Sequence, residues 1–187
     1  MMTVSAKRRR IHPYKFNMWL AIAGICMFFA AFTSAYIVME SRSSWQVFKL
    51  PDVFWFSTGV IIISSVTMHL SLKNFREHNM MRYKILITIT ALLGLLFLAG
   101  QCLGFAGMYN KGITLQWNIS AALIYIIVSA HMLHVLGGVI ALFIVFARAY
   151  RRHTRTYDPV PVEVVATYWH FVDGLWIYLY IFFLWIK

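Results

Sequence analysis

Acidic residues are scarce in this chain: six Asp and Glu stand against 17 Lys and Arg, and charged residues make up only 12% of its 187 positions. Water-soluble domains carry about a quarter charged residues, so this scarcity excludes an ordinary soluble globule. Cysteine is nearly absent. Cys26 and Cys102 each sit inside an apolar stretch with no second cysteine at a metal-ligand or redox spacing, and both read as small packing residues. The chain also lacks a glycine-rich phosphate loop, a nucleophile with an adjacent base, and paired carboxylates at working distance, which excludes chemistry performed by this chain alone. No repeat beyond recurring apolar stretches, no low-complexity tract and no matched pair of broken helices of the inverted-repeat transporter kind is present.

What remains is a chain that is 61% hydrophobic. Five apolar stretches are long enough for a hydrocarbon core that needs roughly 20 helical residues: about 16–39, 53–72, 85–106, 119–147 and 164–186. Barrel strands would be about half as long and would alternate. The fold class is therefore all-α, a polytopic five-transmembrane-helix bundle, with residues 1–15 as a basic arm and 16–187 as one membrane domain. The first stretch is too long for the core of a signal peptide and lacks a small-residue cleavage site, so it reads as a retained helix. Pro51 and the Asp158-Pro159-Val160-Pro161 run fall between stretches, and Pro161 is expected just before or within the first turn of the last helix.

The basic residues sort by loop. Lys7, Arg8, Arg9, Arg10 and Lys15 precede the first helix; Lys73, Arg76, Arg82 and Lys84 lie between the second and third; Arg148, Arg151, Arg152 and Arg155 lie between the fourth and fifth. The other side holds only Arg42, Lys49, Lys111 and Lys187. The positive-inside rule places the N-terminus in the cytoplasm and the C-terminus outside, and anionic lipid accounts for the net charge of +11 without nucleic acid as a partner. Tyr14, Trp19, Trp45, Trp55, Tyr109, Trp117 and Trp185 fall near helix ends as an interfacial belt.

The last stretch carries polar groups that are costly in hydrocarbon unless partnered. At about 100° per residue, Glu163, His170 and Asp173 fall within about 80° of one another, forming a polar stripe beside a ridge of Trp169, Trp176 and Tyr180. On the fourth helix His131 and His134 are one turn apart, and Gly137-x-x-x-Ala141 permits close approach of a neighbour, taken to be the fifth helix. Haem ligation by these histidines conflicts with depth: His69 and His170 are shallow, whereas His131 and His134 lie roughly 10 Å deeper, counting about 1.5 Å per residue. Hydrogen bonds that fix helix packing are the simpler role for the histidines and for Gln101. No metal or cofactor site follows from the residues.

The run Glu163-Val164-Val165-Ala166-Thr167-Tyr168-Trp169-His170-Phe171-Val172-Asp173, continuing through Trp176 to Tyr180, resembles the closing helix of subunit III of the haem-copper respiratory oxidases. His131-Met132-Leu133-His134-Val135, followed by Gly137, is similar to that family's preceding helix. Thr90 to Gly94 with Phe97 and Gln101 in the third helix, and Trp19, Met27-Phe28-Phe29-Ala30 and Tyr36 in the first, also resemble the family. The five-helix length matches the short bacterial form. Two departures stand out, because Gly24-Ile25 and Gly104 occupy places where the family often has an acid.

The resemblance implies a non-catalytic subunit of a terminal oxidase in the bacterial inner membrane, in a complex that reduces O2 to water and pumps protons with cytochrome c or quinol as donor. Haem and copper would be held by partner subunits, with subunit I as main contact, subunit II beside it, and phospholipid bound. His131, His134, Glu163, Tyr168, Trp169, His170, Asp173 and Trp176 would be structural, lipid or subunit contacts, with His131, His134, Glu163, His170 and Asp173 expected to form the polar core that pairs the fourth and fifth helices and Trp169 and Trp176 expected to cover a neighbouring helix or acyl chain. Two rivals make other predictions. A haem-binding membrane cytochrome oxidising quinol would show a haem spectrum in the chain alone, and a small transporter would show solute flux.

Overall fold

The computed structural model describes residues 13–40, 53–150 and 159–186, and the described residues form five α-helices with no strand among them. They are α1 (Pro13–Glu40), α2 (Val53–Arg76), α3 (Met80–Asn110), α4 (Ile119–Tyr150) and α5 (Val160–Trp185). Each of the five expected helices is present, and most run beyond their apolar stretches. Helical hydrogen bonding continues as long as side chains permit, whereas hydrophobicity stops at the first charge. Most of the basic arm, Trp45, Pro51, Asp158, Arg151, Arg152, Arg155 and Lys187 lie outside the described residues.

The largest correction concerns the connection between the second and third helices. A loop from Lys73 to Lys84 is expected from polarity, but only Glu77, His78 and Asn79 separate α2 from α3. His78 takes the left-handed conformation with φ 59°, and the Asn79 side chain accepts a hydrogen bond from Arg82 N at 3.4 Å as the N-cap of α3. This tight reversal makes α2 and α3 the most extensively packed pair. At the far end of α3, Gly112 turns the chain with φ +76°, a conformation that disfavours a β-carbon. Tyr125 OH then ties the following loop to Ile113 O at 2.9 Å. Pro161 falls in the first turn of α5, where its missing N–H breaks no helical bond.

Four helices, α2, α3, α4 and α5, close into a ring of neighbours, and α1 lies outside it against α4 and α5. Lys15, Lys73, Arg76, Arg82, Lys84 and Arg148 gather at one end, here called the basic end. Four helices, α1 to α4, are long and apolar enough to cross a membrane, with mean hydropathies of 2.0, 1.6, 2.2 and 2.2 in their best windows. The fifth falls short because Tyr168, His170, Asp173 and the hydroxylated aromatics dilute its apolar residues. The charged one among them does not face outward, however: Asp173 is 3% exposed, and Trp169 and Trp176 on the same helix are each 1% exposed.

The outer surface is apolar, carrying among others Met27, Ile63, Leu92, Leu133 and Ile181. Tyr14, Trp19, Trp55, Tyr109, Trp117 and Trp185 are exposed near helix ends, the placement expected of interfacial aromatics. Cys26 and Cys102 are also exposed, which corrects their reading as packing residues. Each sits on the outward face of a one-sided helix, where any apolar group is tolerated.

Candidate functional site

The polar face of α5 meets α2 through a row of hydroxyl groups. Trp176 Nε1 donates to Thr58 Oγ1 at 3.0 Å, Trp169 Nε1 donates to Ser64 Oγ at 3.1 Å, and His170 Nδ1 lies 2.7 Å from Ser65 Oγ. Such hydroxyls cost little inside a helix, since they can also bond to carbonyls one turn back, as Thr58 does to Phe54 O at 2.8 Å. At the basic end Glu163 accepts from Lys15 Nζ at 2.6 Å and from Arg76 Nη2 at 2.8 Å, joining α1, α2 and α5. The Lys15 and Arg76 hydrogen bonds hold the Glu163 carboxyl below its ordinary value of 4.5, against a smaller opposing effect of burial.

Trp169 fills a slot cut by two glycines. A β-carbon at Gly94 would stand 2.7 Å from the Trp169 ring, and one at Gly138 would stand 3.1 Å from it. The neighbouring Tyr168 OH donates to His134 O at 3.0 Å. The α4–α5 contact expected at Gly137 is thus real but falls one residue later. Gly137 itself is exposed, and only the Tyr168 hydroxyl comes within 4.0 Å of a β-carbon placed there.

Trp176 fills a second slot, seven residues further along. It stacks on His131 with centroids 5.2 Å apart and meets Phe97 at 5.2 Å and Phe54 at 5.8 Å. Phe29 of α1 lies 6.3 Å from His131 and 5.6 Å from His134. His131 is fully buried and neither ring nitrogen has a hydrogen-bond partner. His134 turns to its own helix, with Nδ1 2.7 Å from Ala130 O. Gln101, also fully buried, makes no hydrogen bond either, contrary to its expected interhelical bond.

The structure therefore divides the expected polar cluster. Glu163 and His170 bond to α1 and α2 rather than to α4, because the α5 stripe is turned toward the hydroxyl row. Asp173 lies on this side too: Ser65 is near enough to act on it, although neither carboxyl oxygen accepts a hydrogen bond of good geometry. His131 and His134 stand apart among aromatic rings. Trp169 and Trp176 cover neighbouring helices and not acyl chains, being 1% exposed.

Sequence reasoning did not single out Thr58, Ser64, Ser65 or the Lys15–Glu163–Arg76 link, nor the slot that Gly94 and Gly138 form for Trp169. Their only signal was small or hydroxylated residues recurring on one face of apolar helices. The two acid-for-glycine departures also acquire a local explanation. A β-carbon at Gly104 would run into the Phe54 ring, while one at Gly24 would meet nothing within 4 Å. The first glycine is required by a packed aromatic, and the second lies on the open face of α1.

Haem does not fit between the facing histidines. The rings of His69 and His170 are 6.2 Å apart, but the direct bond between Ser65 and His170 leaves no gap between α2 and α5 for a macrocycle. Among the described residues no group of three or more His, Cys, Asp or Glu could hold a metal ion.

A multi-pass helical membrane protein whose most distinctive side chains lock helices together, with no catalytic grouping among the described residues, is the class that this fold and site define. The chain belongs to the cytochrome c oxidase subunit III family, whose model matches residues 12–187. A cytochrome c oxidase subunit 3 from Bacillus sp. (strain PS3) is 25% identical over 169 residues, covering 88% of this chain and 81% of that protein. One from Synechocystis sp. (strain ATCC 27184 / PCC 6803 / Kazusa) is 30% identical, with 86% of this chain and 70% of that protein covered. A probable quinol oxidase subunit 3 from Staphylococcus haemolyticus (strain JCSC1435) is 24% identical, with 95% and 91% covered. The chain is accordingly a haem-copper oxidase subunit III, and the haem-binding cytochrome is not favoured.

Proposed function

We propose that this chain is the non-catalytic subunit III of a proton-pumping terminal oxidase in a bacterial plasma membrane, and that it stabilises the complex and holds lipid. In this reading α5 is the fifth span of a single membrane domain, the basic end and its arm are cytoplasmic, and the C-terminus is outside. Subunit I is the main contact, with subunit II and other respiratory subunits beside it. Those partners carry the haem and copper that reduce O2 to water. The observation that carries this role is the use of Trp169, His170 and Trp176 as hydrogen-bonded ties from α5 to α2, a rigid framework with no reacting group.

A phospholipid seat fits the seam between α1 and α5. An open groove of ≈ 430 Å³ there is lined by Cys26, Ala30, Phe171, Gly174 and Tyr178, a suitable surface for an acyl chain. Lys15 and Arg76 stand at its basic end, where a headgroup phosphate would lie. Lys15→Ala together with Arg76→Ala should lower the phospholipid retained per purified complex.

The role is tested by Asp173→Ala and His170→Ala. Both should lower the yield of assembled oxidase or shorten its working life, while the haem spectrum per surviving complex stays unchanged. A lost haem band in assembled complexes would sink this reading, as would a stoichiometric Soret band in the chain expressed alone.

A further inference from the structure

We infer that His69 of α2 and His170 of α5 form a two-imidazole seat for a borderline divalent transition-metal ion, with Zn2+ as the probe that detects it. The two rings face across the α2–α5 contact with centroids 6.2 Å apart and planes at 52°. A Zn–N distance of about 2.0–2.1 Å puts each ligating ring centroid roughly 3 Å from the ion, so two rings sharing one ion lie about 5–6 Å apart. A small rotation of exposed His69 closes the remainder. Imidazole pairs suit Zn2+, Cu2+ or Ni2+ and not the oxygen-seeking Mg2+ or Ca2+.

Two further features favour an ion here. His170 is oriented from behind, with Nδ1 2.7 Å from Ser65 Oγ; donation through Nδ1–H leaves the Nε2 lone pair for the metal, the usual outer-shell arrangement of a ligating histidine. Ser65 and His69 are four residues apart on α2, so the orienting group and the second ligand share one helix face.

Access comes from the basic end. A cavity of ≈ 270 Å³ is lined by Lys15, Arg76 and Glu163 and also by Leu72 and Thr167, which lie three residues, one turn, above His69 and His170. Water from it completes the coordination. The charged groups facing the seat are Lys73, one turn along α2, then Lys15 and Arg76, both bonded to Glu163, with Asp173 on the opposite side.

The test uses the intact purified oxidase complex in nanodiscs, titrated with Zn2+ while bound zinc and thermal unfolding of the subunit are followed. Sites elsewhere in the complex cancel between wild type and variant. We expect His69→Ala to lose one Zn2+ per complex and the zinc-dependent rise in Tm, with normal assembly because His69 is exposed. Ser65→Ala keeps both ligands and should weaken the same site about tenfold or more by freeing the His170 ring. Equal zinc stoichiometry and affinity in wild type and His69→Ala would overturn the proposal, as would an unchanged affinity in Ser65→Ala.

Discussion

Trp169 and Trp176 stand one heptad apart on α5, and their two layers are built in opposite ways. The Trp169 layer removes side chains: Gly94 and Gly138 leave a slot, and Ser64 takes the indole N–H. The Trp176 layer adds polar ones: His131 stacks on the indole, Thr58 takes its N–H, and Gln101 occupies the place on α3 seven residues from Gly94. Both indoles are satisfied. Only the second layer leaves buried polar atoms without partners, on His131 and Gln101. A tight steric slot and a polar stack can therefore seat the same side chain equally deep, while differing in what a substitution would cost.

The sharpest way to break the comparison is to fill the slot. Gly138→Leu should destabilise the bundle by about 3 kcal/mol, because the Trp169 ring has packed helices behind it and cannot retreat. Gly137→Leu, on the exposed face, should change stability by less than about 0.5 kcal/mol. Thermal unfolding of the two variants in detergent compares them; similar losses would mean that the slot is not what seats Trp169.

Next in size is the hydrogen bond. Ser64→Ala leaves the buried Trp169 N–H without an acceptor and should cost about 1–2 kcal/mol, read by the same melt. His131→Leu should do the reverse. It removes two buried nitrogens that have no partner, so it should be neutral or stabilising by up to about 1 kcal/mol. A clear loss of stability in His131→Leu would show that the polar atoms of the Trp176 layer are matched in the assembled complex.

The smallest effect lies outside both layers. Glu163→Gln should cost less than about 1 kcal/mol, since Lys15 and Arg76 are substantially exposed. Its sign with pH is fixed by the depressed Glu163 value. The stabilisation is complete above the ordinary carboxylate value and disappears as pH falls through the lower folded one. An acid titration of the melt should therefore show wild type converging on Glu163→Gln. Parallel curves throughout would remove Glu163 from the account.

The sequence was informative where the physics is local. Five helices follow from apolar runs that must satisfy their backbone internally, and the motif from Tyr168 to Asp173 pointed to the helix that proved most heavily tied to its neighbours. The α2–α3 reversal was missed because polarity marks where a helix leaves hydrocarbon and not where it stops being a helix. The partners of the α5 stripe were missed for another reason. Thr58, Ser64 and Ser65 are unremarkable in sequence, and their value depends on which helix lies opposite.

The sequence by itself determined that this is a helical membrane chain of the oxidase subunit III family, with basic residues at one end and polar groups concentrated late in the chain. These properties depend on hydrophobic run length, charge placement and motif, all carried along the backbone. Only the tertiary structure decided that Glu163 joins Lys15 to Arg76, that His170 faces Ser65 and His69, and that Trp169 enters through Gly138 instead of Gly137. Those outcomes depend on the rotation of each helix about its own axis. That rotation is set by the summed packing of all five helices, which no single stretch encodes.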